Sequence, residues 1–179
     1  MSADMTEAQG GWLATDQFQQ ARDQVPLVYL DAIPARVDPN GSVTHLGLLL
    51  QATSSGILNR TFVSGRVHRG ELIRDALVRH LEKDLGPMAL PRIPLAPQPF
   101  TVVEYFPDAE KTGFHDPRQH AVSLAYVVAV DGDCEPSQQT LELAWLTPVE
   151  AQNPDVLQEM TGGRDRLLQM ALGYLGIMP

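Results

Sequence analysis

Between Glu71 and Leu85 the chain sets ionisable side chains into a segment that is otherwise apolar along one side. At about 100° per residue, a helix there puts Ile73, Ala76, Leu77, Leu81 and Leu85 on one broad face. His80 and Asp84 fall inside the same arc, four residues apart, so that their side chains can meet. Asp84 also occupies the last turn, where the helix dipole disfavours an acid. A carboxylate facing a core at that end needs a cation, a histidine or water beside it. The two residues are therefore either a closed polar pair or groups that face a ligand or a metal, and violations of local rules gather at functional sites. Glu82 projects about 160° from Asp84, toward solvent.

The flanking residues extend the candidate site. Arg66, His68 and Arg69 precede the helix N-terminus, a natural anion site, and either hold phosphate or form an exposed basic loop. Glu71 reads as a first-turn acid favoured by the dipole, as a partner of Arg79 eight residues on, or as an outer metal ligand. Glu104, Asp108, Glu110 and Asp116 are solvated loop acids unless their loop reaches the same cleft and supplies a further carboxylate. His115, Arg118 and His120 share that loop without close metal-ligand spacing.

The elements that must position these groups alternate in kind. Residues 1–11 read as a flexible arm, and residues 12–179 as one domain. Thr15 is a plausible N-cap for a short amphipathic helix ending before Pro26, with Phe18 and Ala21 continuing a stripe from Trp12 or Leu13. Residues 27–37 and 43–50 are β-rich and flank Asp38-Pro39-Asn40-Gly41, a strong turn signal, so they form a hairpin. A turn at Thr53-Ser54-Ser55-Gly56 leads to a strand near Thr61-Phe62-Val63, and the helix from about Gly70 stops at Gly86-Pro87. Residues 87–99 contain five prolines and run extended across the surface. Strands at 100–106, 121–130 and 141–146 follow, then helices at 148–151 and about 154–175. Mixed strands with one central helix and helices at both ends predict an α/β (α+β) fold, a mixed β-sheet sandwiched between helices.

The stretch from Gly65 to Gly86 resembles the Nudix box: Gly, five residues, Glu, seven residues, then Arg-Glu-aliphatic-x-Glu-Glu-x-Gly. Gly65, Glu71, Arg79, Leu81 and Gly86 stand in register, and Asp84 keeps a carboxylate at the last acidic position. His80 and Lys83 replace the other two glutamates. Asp116-Pro117-Arg118 followed by Val122-Ser123-Leu124-Ala125-Tyr126 is similar to a segment of the ADP-ribose pyrophosphatase branch of that family. Leu143-Ala144-Trp145-Leu146-Thr147-Pro148 is similar to its strand end. The resemblance covers about residues 27–175 and implies hydrolysis of a nucleoside diphosphate linked to a further group, with Mg²⁺ or Mn²⁺ on the phosphates. It implies catalytic roles for Glu71, Arg79 and Asp84, metal binding by Asp84, Glu71 and His80, and substrate binding by Arg66, His68 and Arg118. Hard cations need several close oxygen ligands, whereas this helix offers Asp84 and sets Lys83 beside it. Divalent binding is accordingly expected to be weak. The alternative is an inactive Nudix-fold module that binds a nucleotide-like ligand or a protein partner.

Composition bounds the rest. With 13 Lys+Arg against 22 Asp+Glu and a net charge of −9, the chain lacks the basic surface a nucleic acid requires. A small phosphorylated ligand needs only one local cationic pocket. No apolar run approaches the roughly 20 residues that span a bilayer, and the N-terminus lacks a basic leader, so a cytoplasmic location without membrane partners is expected. One cysteine, Cys134 among acids, excludes an internal disulfide and reads as an incidental loop thiol. The acidic surface and C-terminal helix leave self-association, as a homodimer, open.

Overall fold

The Asp38 carboxylate closes the first reversal of the chain, accepting from the backbone N–H groups of Asn40 and Ser42 at 2.8 and 2.9 Å. It joins β1 (Leu27–Val37) to β2 (Val43–Ala52) in the expected hairpin. The computed structural model describes residues 13–53 and 55–177, so the expected arm, Trp12 and part of the turn at residues 53–56 lie outside what is described.

β1 pairs with β2 only through Ala35–Val37; nearer its start, at Tyr29–Ala32, it pairs instead with β4 (Val63–Arg66). The far half of β2 pairs with β3 (Leu58–Thr61). The single strand expected near residues 61–63 is thus two short strands. Phe62, 1 % exposed, crosses between them where β1 and β2 diverge. β6 (Ala121–Ala129) lies parallel to β1 on its other edge, β5 (Thr101–Tyr105) lies antiparallel to β6, and β7 (Thr140–Leu146) lies antiparallel to β2. The sheet is mixed, in the order β3-β2-β1-β6-β5, with β4 and β7 joined at its forks.

Alternate side chains of β1 point to opposite faces, which divides the core in two. Leu30 and Ala32 meet Ala76, Leu77, Leu81 and Leu85 of α2 (Ile73–Leu85). Ile33 and Ala35 belong to the other layer, with α3 (Pro148–Ala151) and with Leu167, Leu168, Ala171 and Leu172 of α5 (Arg164–Tyr174). The mixed sheet sandwiched between helices is the architecture that the sequence predicts. No described helix is long and apolar enough to cross a membrane.

Three boundaries differ from expectation. α1 (Thr15–Gln24) is capped at Ala14 rather than Thr15 and buries none of its described residues. It touches the domain through Phe18, whose ring lies against the guanidinium of Arg66 at 3.8 Å. α2 begins at Ile73, so Glu71 stands before the helix, in a turn closed by its N–H donating to the His68 carbonyl. The last helical stretch is broken into α4 (Pro154–Gln158) and α5, with Gly162 and Gly163 between them at φ of 68° and 85°. Two consecutive residues in that left-handed region end a helix, and glycine adopts it without steric cost.

The proline-rich connector is extended only in part: it opens in a turn at residues 87–89, Leu90 lies at φ 49°, and it then runs along the end of β6, with the Arg92 N–H donating to the Ala129 carbonyl. Cys134 is half-buried, and burial more than its acidic neighbour Asp133 raises its thiol pKa.

Leu77 is 1 % exposed between α2 and the sheet. Leu77→Ala is therefore expected to cost about 2–5 kcal/mol in equilibrium urea unfolding. A loss below about 0.5 kcal/mol, the range of surface changes, contradicts this packing.

Candidate functional site

The end of β4 is fastened to α2 by polar bonds that converge on one carbonyl. The Arg66 C=O accepts from Arg79 Nη2 at 3.1 Å and from His80 Nε2 at 2.9 Å. Arg79 also forks onto Glu71, Nε to Oε1 at 2.7 Å and Nη2 to Oε2 at 2.8 Å. Glu71 Oε2 accepts the His68 backbone N–H as well, at 2.9 Å. This fork and the second bond hold the Glu71 carboxyl down at about 2, against an ordinary 4.5. Of the readings open to Glu71, the structure forms the partnership with Arg79, and places the first-turn reading outside the helix.

A carbonyl can only accept, so His80 Nε2 carries the proton and Nδ1 is a bare lone pair. Burial lowers the His80 pKa and keeps the ring neutral. Among the described residues Nδ1 has no hydrogen-bond partner, and it is buried. The ring edge abuts Gly65 so closely that a Cβ there would lie 2.0 Å from His80 Cε1. A glycine at position 65 is thus a steric requirement of the histidine at position 80. Of the two alternatives for His80 and Asp84, the closed pair does not form among the described residues, because the ring is turned to Arg66 instead.

Asp84 is half-buried and engages in no ion pair or side-chain hydrogen bond among the described residues. Burial raises its carboxyl pKa, against the opposing charge of Lys83. Glu82 is exposed on the far side, as its helical phase predicts, and Lys83 is exposed beside Asp84.

These groups open onto a cleft of about 880 Å³ between the fork of the sheet, the end of α2 and two loops. Of the predicted site residues, Arg66, His68, Arg79, His80, Asp84 and Arg118 line it, and Glu71 stands behind Arg79. His68 is buried, and burial and then Arg79 lower its imidazole pKa. Arg118 is forked onto Asp116, Nε to Oδ1 at 2.9 Å and Nη2 to Oδ2 at 3.0 Å. Burial acts to raise the Asp116 carboxyl, but the Arg118 and Gln119 hydrogen bonds outweigh it and hold the group below its ordinary value. Asp116 does reach the cleft, therefore, but as an engaged carboxylate. Glu104, Asp108 and Glu110 do not line it.

Two contributors carry no signal in the motif. Tyr29 enters from β1, and Arg164 enters from the first turn of α5. A break at Gly162-Gly163, read from the paired glycines, is the signal that would have placed Arg164 at a helix start rather than inside one.

A resident Mg²⁺ or Mn²⁺ fits this donor set poorly. Asp84 is the one cleft carboxylate without a hydrogen-bonded partner among the described residues, and the Lys83 ammonium stands beside it. Hard cations take about six oxygens at short range. No group of three or more acidic, histidine or cysteine side chains suited to a metal occurs among the described residues.

Comparison with known proteins agrees with this architecture. Residues 8–177 match the family described as "Domain of unknown function (DUF4916)". A crystal structure of a possible asymmetric diadenosine tetraphosphate hydrolase from Jonesia denitrificans is 60% identical, with a TM-score of 0.85; the match covers 87% of this chain and 98% of that one. The Nudix domain of Shewanella oneidensis NrtR, complexed with ADP ribose, is 14% identical at a TM-score of 0.58, covering 91% and 99%. A bifunctional NMN adenylyltransferase/ADP ribose pyrophosphatase from Francisella tularensis, complexed with AMP and a Mn ion, is 13% identical at 0.59, covering 90% and 45%. The two distant likenesses establish the Nudix fold. No curated protein matches the chain.

The Glu71–Arg79 fork makes a pH-dependent contribution to stability. Because the folded-state pKa is depressed, that contribution is complete above about pH 4.5 and is lost as pH falls toward 2. Glu71→Gln is expected to cost about 2 kcal/mol at pH 7, the scale of hydrogen bonds to a charged group. The gap between the two proteins should narrow steadily below pH 4.5 in urea titrations followed by circular dichroism. A gap independent of pH would remove the fork from the stability of the fold.

Proposed function

Because this chain belongs to the family described as a domain of unknown function, DUF4916, and carries the Nudix fold, we propose that it is a Nudix-type hydrolase of a phosphoanhydride. Its substrate class is a nucleoside diphosphate linked to a further group, such as ADP-ribose-like or dinucleoside polyphosphate compounds. The observation that carries this reading is the cleft on the box helix. Five Lys and Arg side chains line it against two carboxylates, in a protein whose net charge is −9. A cationic hollow in an acidic surface suits a small ligand dense in phosphate and does not suit a nucleic acid. The relative at 60% identity, described as a possible diadenosine tetraphosphate hydrolase, supports the same class.

In the reaction, water adds to one phosphorus and the bridging P–O bond breaks. Each product leaves with its own phosphate, and the water's proton must be taken up. Asp84 is the residue for that last task. It lines the cleft, no hydrogen-bonded partner occupies it among the described residues, and burial moves its pKa toward the range of a useful base. Arg66, His68 and Arg118 line the same cleft and hold the phosphates. Glu71 and Arg79 act as positioning residues, fixing the Arg66 carbonyl and with it the cleft wall.

The test is a turnover screen with diadenosine tetraphosphate, ADP-ribose, NADH and nucleoside triphosphates, run in Mg²⁺, in Mn²⁺ and in EDTA. At least one dinucleotide or diphosphate-linked compound should be cleaved. Asp84→Asn should reduce kcat by about 10²-fold or more while leaving KM within a few-fold, as removal of a general base does. A ligand that binds tightly yet is never cleaved under any of the three conditions would replace the hydrolase with a binding module. Unchanged kcat in Asp84→Asn would remove Asp84 from the chemistry.

A further inference from the structure

The Nudix pattern puts glutamates at the two positions that this chain fills with His80 and Lys83, and the structure shows what each replacement does. His80 is withdrawn into the wall, its ring against Gly65 and its N–H on the Arg66 carbonyl. Lys83 remains exposed on the cleft, in no ion pair among the described residues, and its charge acts on both His80 and Asp84. A second cation reaches the same cleft from the opposite layer of the fold. Arg164 heads α5, with its guanidinium over the Tyr105 ring at 5.4 Å and its Nε buried without a hydrogen-bond partner among the described residues. Arg118 is already forked onto Asp116, which leaves it fewer donors for a ligand. Lys83 and Arg164 then share a cleft in which Asp84 is the only carboxylate not already engaged among the described residues.

We infer that this cleft grips linked phosphates directly through Lys83 and Arg164, with these side-chain cations in place of a resident divalent ion. The sign of each charge decides it. A divalent ion brought to Asp84 is repelled by the ammonium beside it, whereas a diphosphate is attracted by both cations. An ammonium and a guanidinium supply hydrogen-bond donors to phosphate oxygens, which is the work a bridging metal otherwise does. Mg²⁺ in solution then competes for the ligand, because it neutralises the phosphates before they reach the cleft.

The inference rests on the phosphate-site reading proposed above, and calorimetric titration of the full chain separates the two. The probes are inorganic pyrophosphate and ADP, each titrated in EDTA and in millimolar Mg²⁺. Both should bind in EDTA and bind several-fold more weakly in Mg²⁺, with affinity falling as NaCl is raised. Lys83→Gln and Arg164→Gln should each weaken pyrophosphate binding in EDTA by about tenfold or more. Asp84→Asn should bind it as tightly as the unaltered chain or more tightly, because a local negative charge is gone. Lys83 is exposed, so Lys83→Gln is expected to keep the parent melting temperature, and a thermal scan checks this. Binding that appears only with Mg²⁺, or a greater than tenfold loss in Asp84→Asn, overturns the inference and leaves the hydrolase reading intact. A loss under threefold in Lys83→Gln also overturns it. Absence of binding by both probes under both conditions overturns the phosphate site itself.

Discussion

The fold around the cleft depends on one backbone carbonyl, that of Arg66. It ends β4, and two side chains of α2 donate to it from adjacent helix positions, Arg79 and His80. Those bonds fix the rotation of α2 about its axis, because residues 79 and 80 must both face β4. With that rotation set, Leu77 and Leu81 point into the sheet and Lys83 and Asp84 are delivered to the cleft. Glu71 completes the arrangement by taking both arms of Arg79 and a backbone N–H. A partly buried ion pair stabilises only when its remaining hydrogen-bonding capacity is met, and here the carboxylate accepts three bonds. The frame of the Nudix pattern survives in this chain because Gly65, Glu71 and Arg79 build the wall, whichever groups then face the ligand.

The hairpin, the box spacing and the phase of α2 were all legible in the sequence because each is written in local order. The turn residues at 38–41 and the apolar repeat through Leu77, Leu81 and Leu85 specify their structures within a few positions of themselves. The direction of Asp84 and the solvent side of Glu82 followed from the same periodicity. What was not legible required contacts between segments far apart in the chain. The divergence of β1 from β2 splits the strand at Phe62, and no nearby residue announces it. Helical spacing put Asp84 within reach of His80, four residues along its own helix, yet the ring turns to a carbonyl fourteen residues earlier. Helical spacing gives the partners a side chain can reach, and burial decides which of them it takes.

The same distinction accounts for Arg164. The box residues that share its cleft, Lys83 and Asp84, lie about eighty residues earlier, so the box motif carries no trace of it. Its placement depends on a polar arrangement inside the second layer of the core. Asp31, 1 % exposed on β1, accepts from Tyr105 Oη at 3.0 Å and from Ser123 Oγ at 2.7 Å. These bonds tie β5 and β6 to β1 at a single buried carboxylate. Burial and the Asp31 charge push the Tyr105 phenol well above its ordinary pKa, so it remains a neutral donor. The Tyr105 ring held in this way is the surface over which the Arg164 guanidinium lies.

Two buried polar anchors on opposite faces of one sheet therefore deliver two cations to one cleft. The arrangement matters more in an acidic protein than it would in a neutral one. The net charge of −9 repels a polyphosphate at long range, but salt screens that repulsion beyond about 8 Å at physiological ionic strength. Inside that distance a ligand bound as inferred would meet Lys83 and Arg164 in a concave setting, where charge interactions are less screened. Selectivity follows from the contrast. A long polyanion such as a nucleic acid would have to extend beyond this cleft, while a ligand that fits within about 880 Å³ would present its charge to a lining of five Lys and Arg side chains against two carboxylates. On the proposed reading, the net acidic charge and the basic cleft would act together, one disfavouring extended polyanions and the other retaining compact ones.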